Sequence, residues 1–333
     1  MKLIIPMAGR GTRVRPHSHV TPKPLLHVCG KSMVQRIVET FAEVLPRPIT
    51  EAVFVLGPDF GDEVRRDLAA ICAPHGIAAH FAVQPKAEGT AHAVLMAGDH
   101  LADEGVIVFA DTLFYMPRDA SVFEGADCVA WTKTVEDPRR FGVAVREGDR
   151  VTAFVEKPSE PISNEALIGI YWVKELADMR RECQRLMDEG RAVKGEYQLT
   201  DAMDALLKQG KVFKTAGVTD WLDCGTIPAL LETTQDIIGR EATTDAQGEN
   251  SVFIQPVYIG PGAKIVNAVV GPHASIEAGA TITGSTVARS IVFAKARVEA
   301  SHLDGALVGQ QAMVKDFAGK LNIGDHASVG VVQ

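Results

Sequence analysis

The sequence predicts an α/β protein, a mostly parallel sheet followed by a small parallel β-helix. Three observations predict it. Short, wholly apolar, β-branched runs recur through the first two-thirds of the chain, and helix-compatible stretches alternate with them. Past a polar segment near residue 240, usage shifts to glycine, alanine and single aliphatics at six-residue spacing.

Taken in order, "KLIIPM" (2–7), "EAVFVLG" (51–57) and "GVIVFAD" (105–111) are strands of the kind buried on both faces, where no polar alternation is needed. Met33–Val44, Asp62–Ile71 and Ala91–Leu101 are the intervening helices. In "RFGVAVREGDRVTAFVEKP" (140–158), two alternating runs around Glu147-Gly148-Asp149-Arg150 predict a hairpin. In the helix that follows, Leu176, Met179, Cys183, Leu186 and Met187 share one face, read as core, and Gly190 is its stop. "GREATTDAQGEN" (239–250) is small and polar and reads as a linker, giving domains at 1–238 and 251–333. Beyond it, Ile259 and Ile265 are six apart, as are Val270, Ile276 and Ile282, then Val292 and Val298, then Val308 and Val314. One inward aliphatic per hexad suits a coil of parallel β-helix, although the phase slips between groups. An irregular β-sandwich is the alternative.

The 333 residues are enough for two domains, and 46% hydrophobic with 23% charged content is that of a soluble globular protein. A net charge of −8 argues against a general nucleic-acid binder. No uninterrupted apolar stretch is long enough to cross a bilayer, and the opening apolar run is too short for a secretory signal. Cys29, Cys72, Cys128, Cys183 and Cys224 form no CxxC pair and read as free thiols in a reducing cytoplasm. Against this acidity, residues 1–38 hold no Asp or Glu. Lys2, Arg10, Arg13, Arg15, Lys23, Lys31 and Arg36 fall there, with His17, His19 and His27 between them, as expected of a segment that holds a local anion.

Two familiar nucleotide loops fail on this segment. A dinucleotide fingerprint has Gly9 and Gly11 but Val14 at its third glycine, and a Walker A loop ending in Gly30-Lys31-Ser32 meets Leu25 where its first glycine belongs. What stands is Gly9-Arg10-Gly11-Thr12-Arg13 with Pro16, then Pro22-Lys23-Pro24. This resembles the G-x-G-T-R-x-x-P…P-K-P signature of the sugar-nucleotide pyrophosphorylases, the sugar-1-phosphate nucleotidylyltransferases. The look is closest to glucose-1-phosphate thymidylyl- and uridylyltransferases with a C-terminal left-handed β-helix. Such a loop lets backbone N–H groups approach a triphosphate, while Arg13 and Lys23 neutralise the α-phosphate and the departing pyrophosphate.

By the same resemblance the catalytic domain is Rossmann-like, and Ala8, Gly9, Gly11 and Thr12 contact the nucleotide. "QPKAEGTAHA" (84–93) is similar to the base-reading segment, implying nucleotide contacts at Gln84, Gly89 and Thr90. "FADTLF" and "WLDCGT" resemble segments carrying metal-binding aspartates, which makes Asp111 and Asp223 the implied Mg²⁺ ligands. "VEKP" implies Lys157 on the 1-phosphate, acting with Arg13 and Lys23 in catalysis, and Glu156 on sugar hydroxyls. "NEALIGIYWV" and "GEYQLTDAM" place Gly169 and Glu196 at the sugar. Taken alone, these segments also read as a strand end, a turn or a capped helix start. Two departures from the pattern, Ser32 in "GKSM" and Ala110 before Asp111, remove no chemical group.

The resemblance implies a cytoplasmic enzyme whose partners are a nucleoside triphosphate and a sugar 1-phosphate, dTTP or UTP with glucose 1-phosphate being favoured. Mannose-1-phosphate guanylyltransferase and a non-catalytic regulatory relative are the alternatives. An acyltransferase on the coils, with His273 or His302 as base, is a further class. The coils are expected to mediate homo-oligomer formation, because a parallel stack leaves edges that need covering. No nucleic-acid or membrane partner is expected.

Overall fold

A computed structural model describes residues 1–9, 11–193 and 195–330. Arg10, part of the signature, lies outside the described residues. Contacts divide the chain into two compact units, Met1–Gly9 with Gln35–Trp221 and Arg10–Val34 with Leu222–Gln333.

The first unit is built on nine strands: β1 Lys2–Pro6, β2 Glu51–Leu56, β3 Ala78–Val83, β4 Gly105–Val108, β5 Cys128–Thr134, β6 Gly142–Glu147, β7 Arg150–Glu156, β8 Glu165–Val173 and β9 Phe213–Gly217. They form one mixed sheet in the order β3-β2-β1-β4-β8-β5-β9-β7-β6. The first four are parallel, with the apolar β1, β2 and β4 side by side and β3, which carries His80, at the edge. β8 enters antiparallel between β4 and β5, and β6–β7 is the expected hairpin, with Arg150 paired to Glu147.

Helix α1 spans Met33–Val44, the range the sequence predicts, and α2 spans Asp62–Cys72. The third prediction differs. Instead of one helix over 91–101, α3 covers Thr90–Leu95 and a separate 3₁₀ turn covers Gly98–His100. Gly98 adopts φ 60°, a left-handed conformation that an α-helix cannot continue through. Helix α4 (Leu176–Asp188) buries Leu176, Met179, Cys183 and Leu186, and Gly190 ends it at φ 64°. It also buries Glu182, which pairs with Arg185 at 2.7 Å. Helix α5 is Leu199–Lys208. All five cysteines are buried, and none forms a disulfide among the described residues.

In the second unit, α6 runs Ile227–Glu241, capped by the Thr226 hydroxyl on the Ala229 N–H at 3.3 Å. It takes in the first three residues of 239–250, supported by an Asp236–Arg240 pair at 3.1 Å. The chain then winds through three five-stranded parallel sheets, consistent with a β-helix. Val252 pairs with Val269, Val269 with Thr286, Thr286 with His302 and His302 with Ala318. The coils therefore take 17, 17, 16 and 16 residues, one or two short of three hexads, which is why the sequence period slips. Val270, Ile276, Ile282, Val292, Val298, Val308 and Val314 fill the coil core. Among the described residues, no helix is long and apolar enough to cross a membrane.

Candidate active site

In the parallel half-sheet, loops leave the carboxyl ends of the strands, where α/β enzymes place their ligands. Ala8 and Gly9 follow β1, and the Ala8 carbonyl lies 3.3 Å from where a Cβ on Gly57, just past β2, would stand. Gln84 follows β3 and Asp111 lies past β4.

Residues 84–91 are fastened to residues 196–199. The Tyr197 N–H donates to the Glu88 carbonyl (2.8 Å), and the Ala91 N–H donates to the Tyr197 carbonyl (2.9 Å). Gly89 sits at the crossing with φ 107°, and any Cβ there would run into the Tyr197 backbone. Only glycine meets both conditions. The Thr90 hydroxyl accepts from the Leu199 N–H (2.9 Å) and so caps α5 from a distant segment. Buried Gln84 donates to the Gly89 carbonyl (3.3 Å) and stands 3.3 Å from His92 Nδ1. Gln198 donates to Glu196 at 3.1 Å. The structure thus brings Gln84, Gly89, Thr90 and Glu196 into one connected group.

A second group surrounds Glu156. Its Oε2 accepts from the Thr200 hydroxyl (3.2 Å), and its Oε1 lies 3.4 Å from Lys157 Nζ. Lys157 is exposed and holds φ 43°, a left-handed backbone costing roughly 1–3 kcal/mol for a non-glycine residue. Gly169 packs its backbone on Phe109, whose N–H donates to the Gly169 carbonyl at 3.0 Å. Burial pushes the Tyr171 phenol up, and the Glu156 and Asp111 carboxylates push it the same way. Both carboxylates therefore lie near one buried ring. Thr200, Gln198, His92 and Tyr171 were not singled out from the sequence. The only signal was that all four stand inside segments quoted for other residues.

In the second unit, Gly11 takes φ 59° and opens a 3₁₀ turn over Thr12–Val14. A Cβ on Gly11 would sit 2.7 Å from Lys23 Cβ, so the glycine lets the buried Lys23 stem pass beneath the loop. Arg13 and Asp223 meet at Gly225. A Cβ placed there would be 3.4 Å from Arg13 Nη2 and 2.8 Å from Asp223 Oδ1. Asp223 Oδ1 accepts from the Gly225 N–H at 2.7 Å. Asp111 stands in the first unit and Asp223 in the second. Both carboxylates are exposed, and their hard oxygen donors fit Mg²⁺ better than a softer ion.

The coils hold the underside of this loop. His17, grouped with the loop cations in the sequence, is fully buried, with its Nε2 2.6 Å from Asn322 Oδ1 and its ring 5.3 Å from that of Phe293. It does not face solvent as an anion ligand would. Burial holds its imidazole below the ordinary value, against smaller opposing effects of Asn322 and Asp325. The Gly30 N–H donates to both oxygens of buried Glu277 at 3.2 and 3.1 Å. Glu277 also accepts from the Ser275 hydroxyl at 2.9 Å.

A parallel half-sheet with loops gathered at its strand ends, followed along the chain by parallel coils, is an α/β architecture with a β-helix extension. The Nucleotidyl transferase family matches residues 2–239, and the chain belongs to that family. It is similar to a glucose-1-phosphate thymidylyltransferase of Streptomyces antibioticus, 28% identical over 99% of both chains. A UTP–glucose-1-phosphate uridylyltransferase of Haloferax volcanii, AglF, is 27% identical over 74% of this chain and 99% of its own. Among solved structures, a Bacillus anthracis protein assigned as a glucose-1-phosphate thymidylyltransferase, in complex with a sucrose, superposes with TM-score 0.62. That match is 27% identical and covers 74% of this chain and 97% of the other.

Proposed function

We propose that the enzyme joins a nucleoside triphosphate to a sugar 1-phosphate, releasing pyrophosphate, with dTTP or UTP and glucose 1-phosphate as the preferred pair. The observation that carries this reading is the fastening of residues 84–91 to 196–199, which sets Gln84 and Glu196 in one rigid group. Gln84 then reads the base, and Glu156 and Glu196 take sugar hydroxyls. The full-length likeness to a thymidylyltransferase supports the base and sugar choice.

In the reaction a sugar-phosphate oxygen attacks the α-phosphorus in line, and the bond to the bridging oxygen of pyrophosphate breaks. The attacking phosphate is already ionised near pH 7, so no general base is needed. Two anions must instead be held together, a task of positioning and charge neutralisation. Arg13 and Lys23 take negative charge on the nucleotide and on the leaving pyrophosphate, helped by the N–H groups around Gly9, Gly11 and Thr12. Lys157 leaves Glu156 to hold the 1-phosphate, and Gly169 keeps the sugar's edge open. Asp111 and Asp223 would hold Mg²⁺, which when bound supplies further positive charge to phosphate oxygens. The functional division is 1–238 for catalysis and 251–333 for coils that associate with a second copy in the cytoplasm.

A pyrophosphate-release matrix of four nucleoside triphosphates against several sugar 1-phosphates tests this. The highest kcat/KM is expected for dTTP or UTP with glucose 1-phosphate. A clear preference for GTP with mannose 1-phosphate would overturn the substrate choice and keep the reaction class. No release with any pair would overturn both.

A further inference from the structure

We propose that Glu51, His80 and His100 form a binding site for one transition-metal cation of the zinc type, at the end of the sheet opposite the loops that follow its parallel strands. Glu51 opens β2, His80 is the third residue of the neighbouring edge strand β3, and His100 closes the 3₁₀ turn that precedes β4. Their ligand atoms all lie within 4.8 Å of one another. Glu51 Oε2 is 3.6 Å from His80 Nε2 and 3.3 Å from His100 Nδ1. A tetrahedral zinc ion bonded at about 2.0–2.1 Å separates its ligands by about 3.3–3.4 Å. The two spacings bracket that value, so an ion fits with only small side-chain adjustments. The two imidazole rings lie 4.4 Å apart, both directed at the one carboxylate.

The donor set chooses the ion. Two imidazoles and one carboxylate suit zinc, cobalt or nickel, whereas Mg²⁺ takes oxygen donors and water. A neighbouring cation is engaged elsewhere. Lys2, cross-strand partner of Glu51, directs its ammonium to Asp103 (3.5 Å) and to the His100 carbonyl (3.4 Å). The three side chains are about one-third exposed, leaving a fourth position open to water or a donor from outside. Glu51 and Leu56 bound the two ends of β2, so at about 3.3 Å per residue the cation stands roughly 17 Å from the strand end that leads into the loop. Its effect is to staple β2, β3 and the turn before β4.

The test uses the full chain stripped with chelator, then dialysed against Zn²⁺ with Mg²⁺ in excess, and in parallel titrated with Co²⁺ as a spectroscopic probe. One equivalent of Zn²⁺ per chain is expected, with the visible bands of a nitrogen-ligated Co²⁺ and a raised Tm on saturation. His80→Ala and His100→Ala should each weaken binding at least about 10-fold, the low end of what even an outer-shell change costs. Glu51→Gln, which keeps size and hydrogen bonding, should do the same without disturbing the fold. Pyrophosphate release should be unchanged in all three. Absence of zinc retention by the wild type, or equal retention by the His80→Ala/His100→Ala double variant, would overturn the site and leave a cluster held by hydrogen bonds alone.

Discussion

Arg13 and Asp223 share one small space, since both flank the position a Gly225 Cβ would occupy. Arg13→Ala and Asp111→Asn are each expected to lower kcat by about 10²-fold or more, the scale for removing one preorganised charge-stabilising contact. Steady-state pyrophosphate release beside a far-UV spectrum of each variant checks this, and wild-type turnover in either would remove that residue from the site. Gly89 makes a different kind of prediction. Its φ of 107° and its approach to the Tyr197 backbone leave no room for a methyl group. Gly89→Ala should destabilise the first unit by about 1–3 kcal/mol in urea unfolding and raise the nucleotide KM, because residues 84–91 lose their fixed partner. At this scale the sequence was legible where a residue type has one chemical use. Gly11, Arg13, Lys23 and the two aspartates are proposed from their motifs, and the structure shows Gly11 packed on Lys23 and Arg13 beside Asp223. Thr200 and Gln198 could not be named, because a Thr or Gln beside a helix start is ordinarily read as a cap.

Residues 11–34 behave as an element in their own right, a loop seated on coils. His17 is the peg. Its Nδ1 is buried with no hydrogen-bond partner among the described residues, while Nε2 engages Asn322, so the ring is held neutral. Protonation would bury an unpaired N–H⁺, and this is why burial lowers its pKa. The unfolded chain therefore takes up the proton first, as pH falls through the ordinary histidine value of about 6.5. The stability contributed by neutral His17 is present above that pH and is lost as pH drops toward the folded value. Urea unfolding between pH 7 and 5 should show stability falling by up to about 1.4 kcal/mol per pH unit from this one group. His17→Gln should flatten that slope, and an unchanged slope would mean that other groups set it. None of this could be read from the sequence. His17 stands among cations, and its partners Phe293 and Asn322 come from near the opposite end of the chain, where a period of 16 or 17 residues hides the coil register. The strands and α1 were legible because their signals are local, and the end of α3 was not, because Gly98 alone decides it.

The chain passes from one unit to the other three times, after Gly9, after Val34 and after Trp221. Residues carrying Arg13 and Lys23 thus belong by contact to the unit completed last in synthesis. The His17–Asn322 bond closes a separation of 305 residues, and Pro16 lies 2.9 Å from where a Cβ on Gly324 would stand. The loop's geometry therefore depends on coils that carry none of the site residues proposed from the motifs. A chain ending after α6 keeps every one of those side chains but loses Asn322, Phe293, Glu277 and Gly324 from beneath the loop. A displacement of about 1 Å in a positioning group can cost on the order of 10²-fold in rate, so this fragment is expected to release pyrophosphate at no more than about one-hundredth of the full rate. Truncation also bares coil-facing apolar surface, and the full-length Asn322→Ala/Glu277→Gln variant separates the two effects. With its coils intact, it should lose kcat while keeping the far-UV spectrum and most of its urea stability. Full activity in both the fragment and the double variant would show that the loop is set without the coils. Loss in the fragment alone would make the coils a cover for apolar surface and not a support for catalysis.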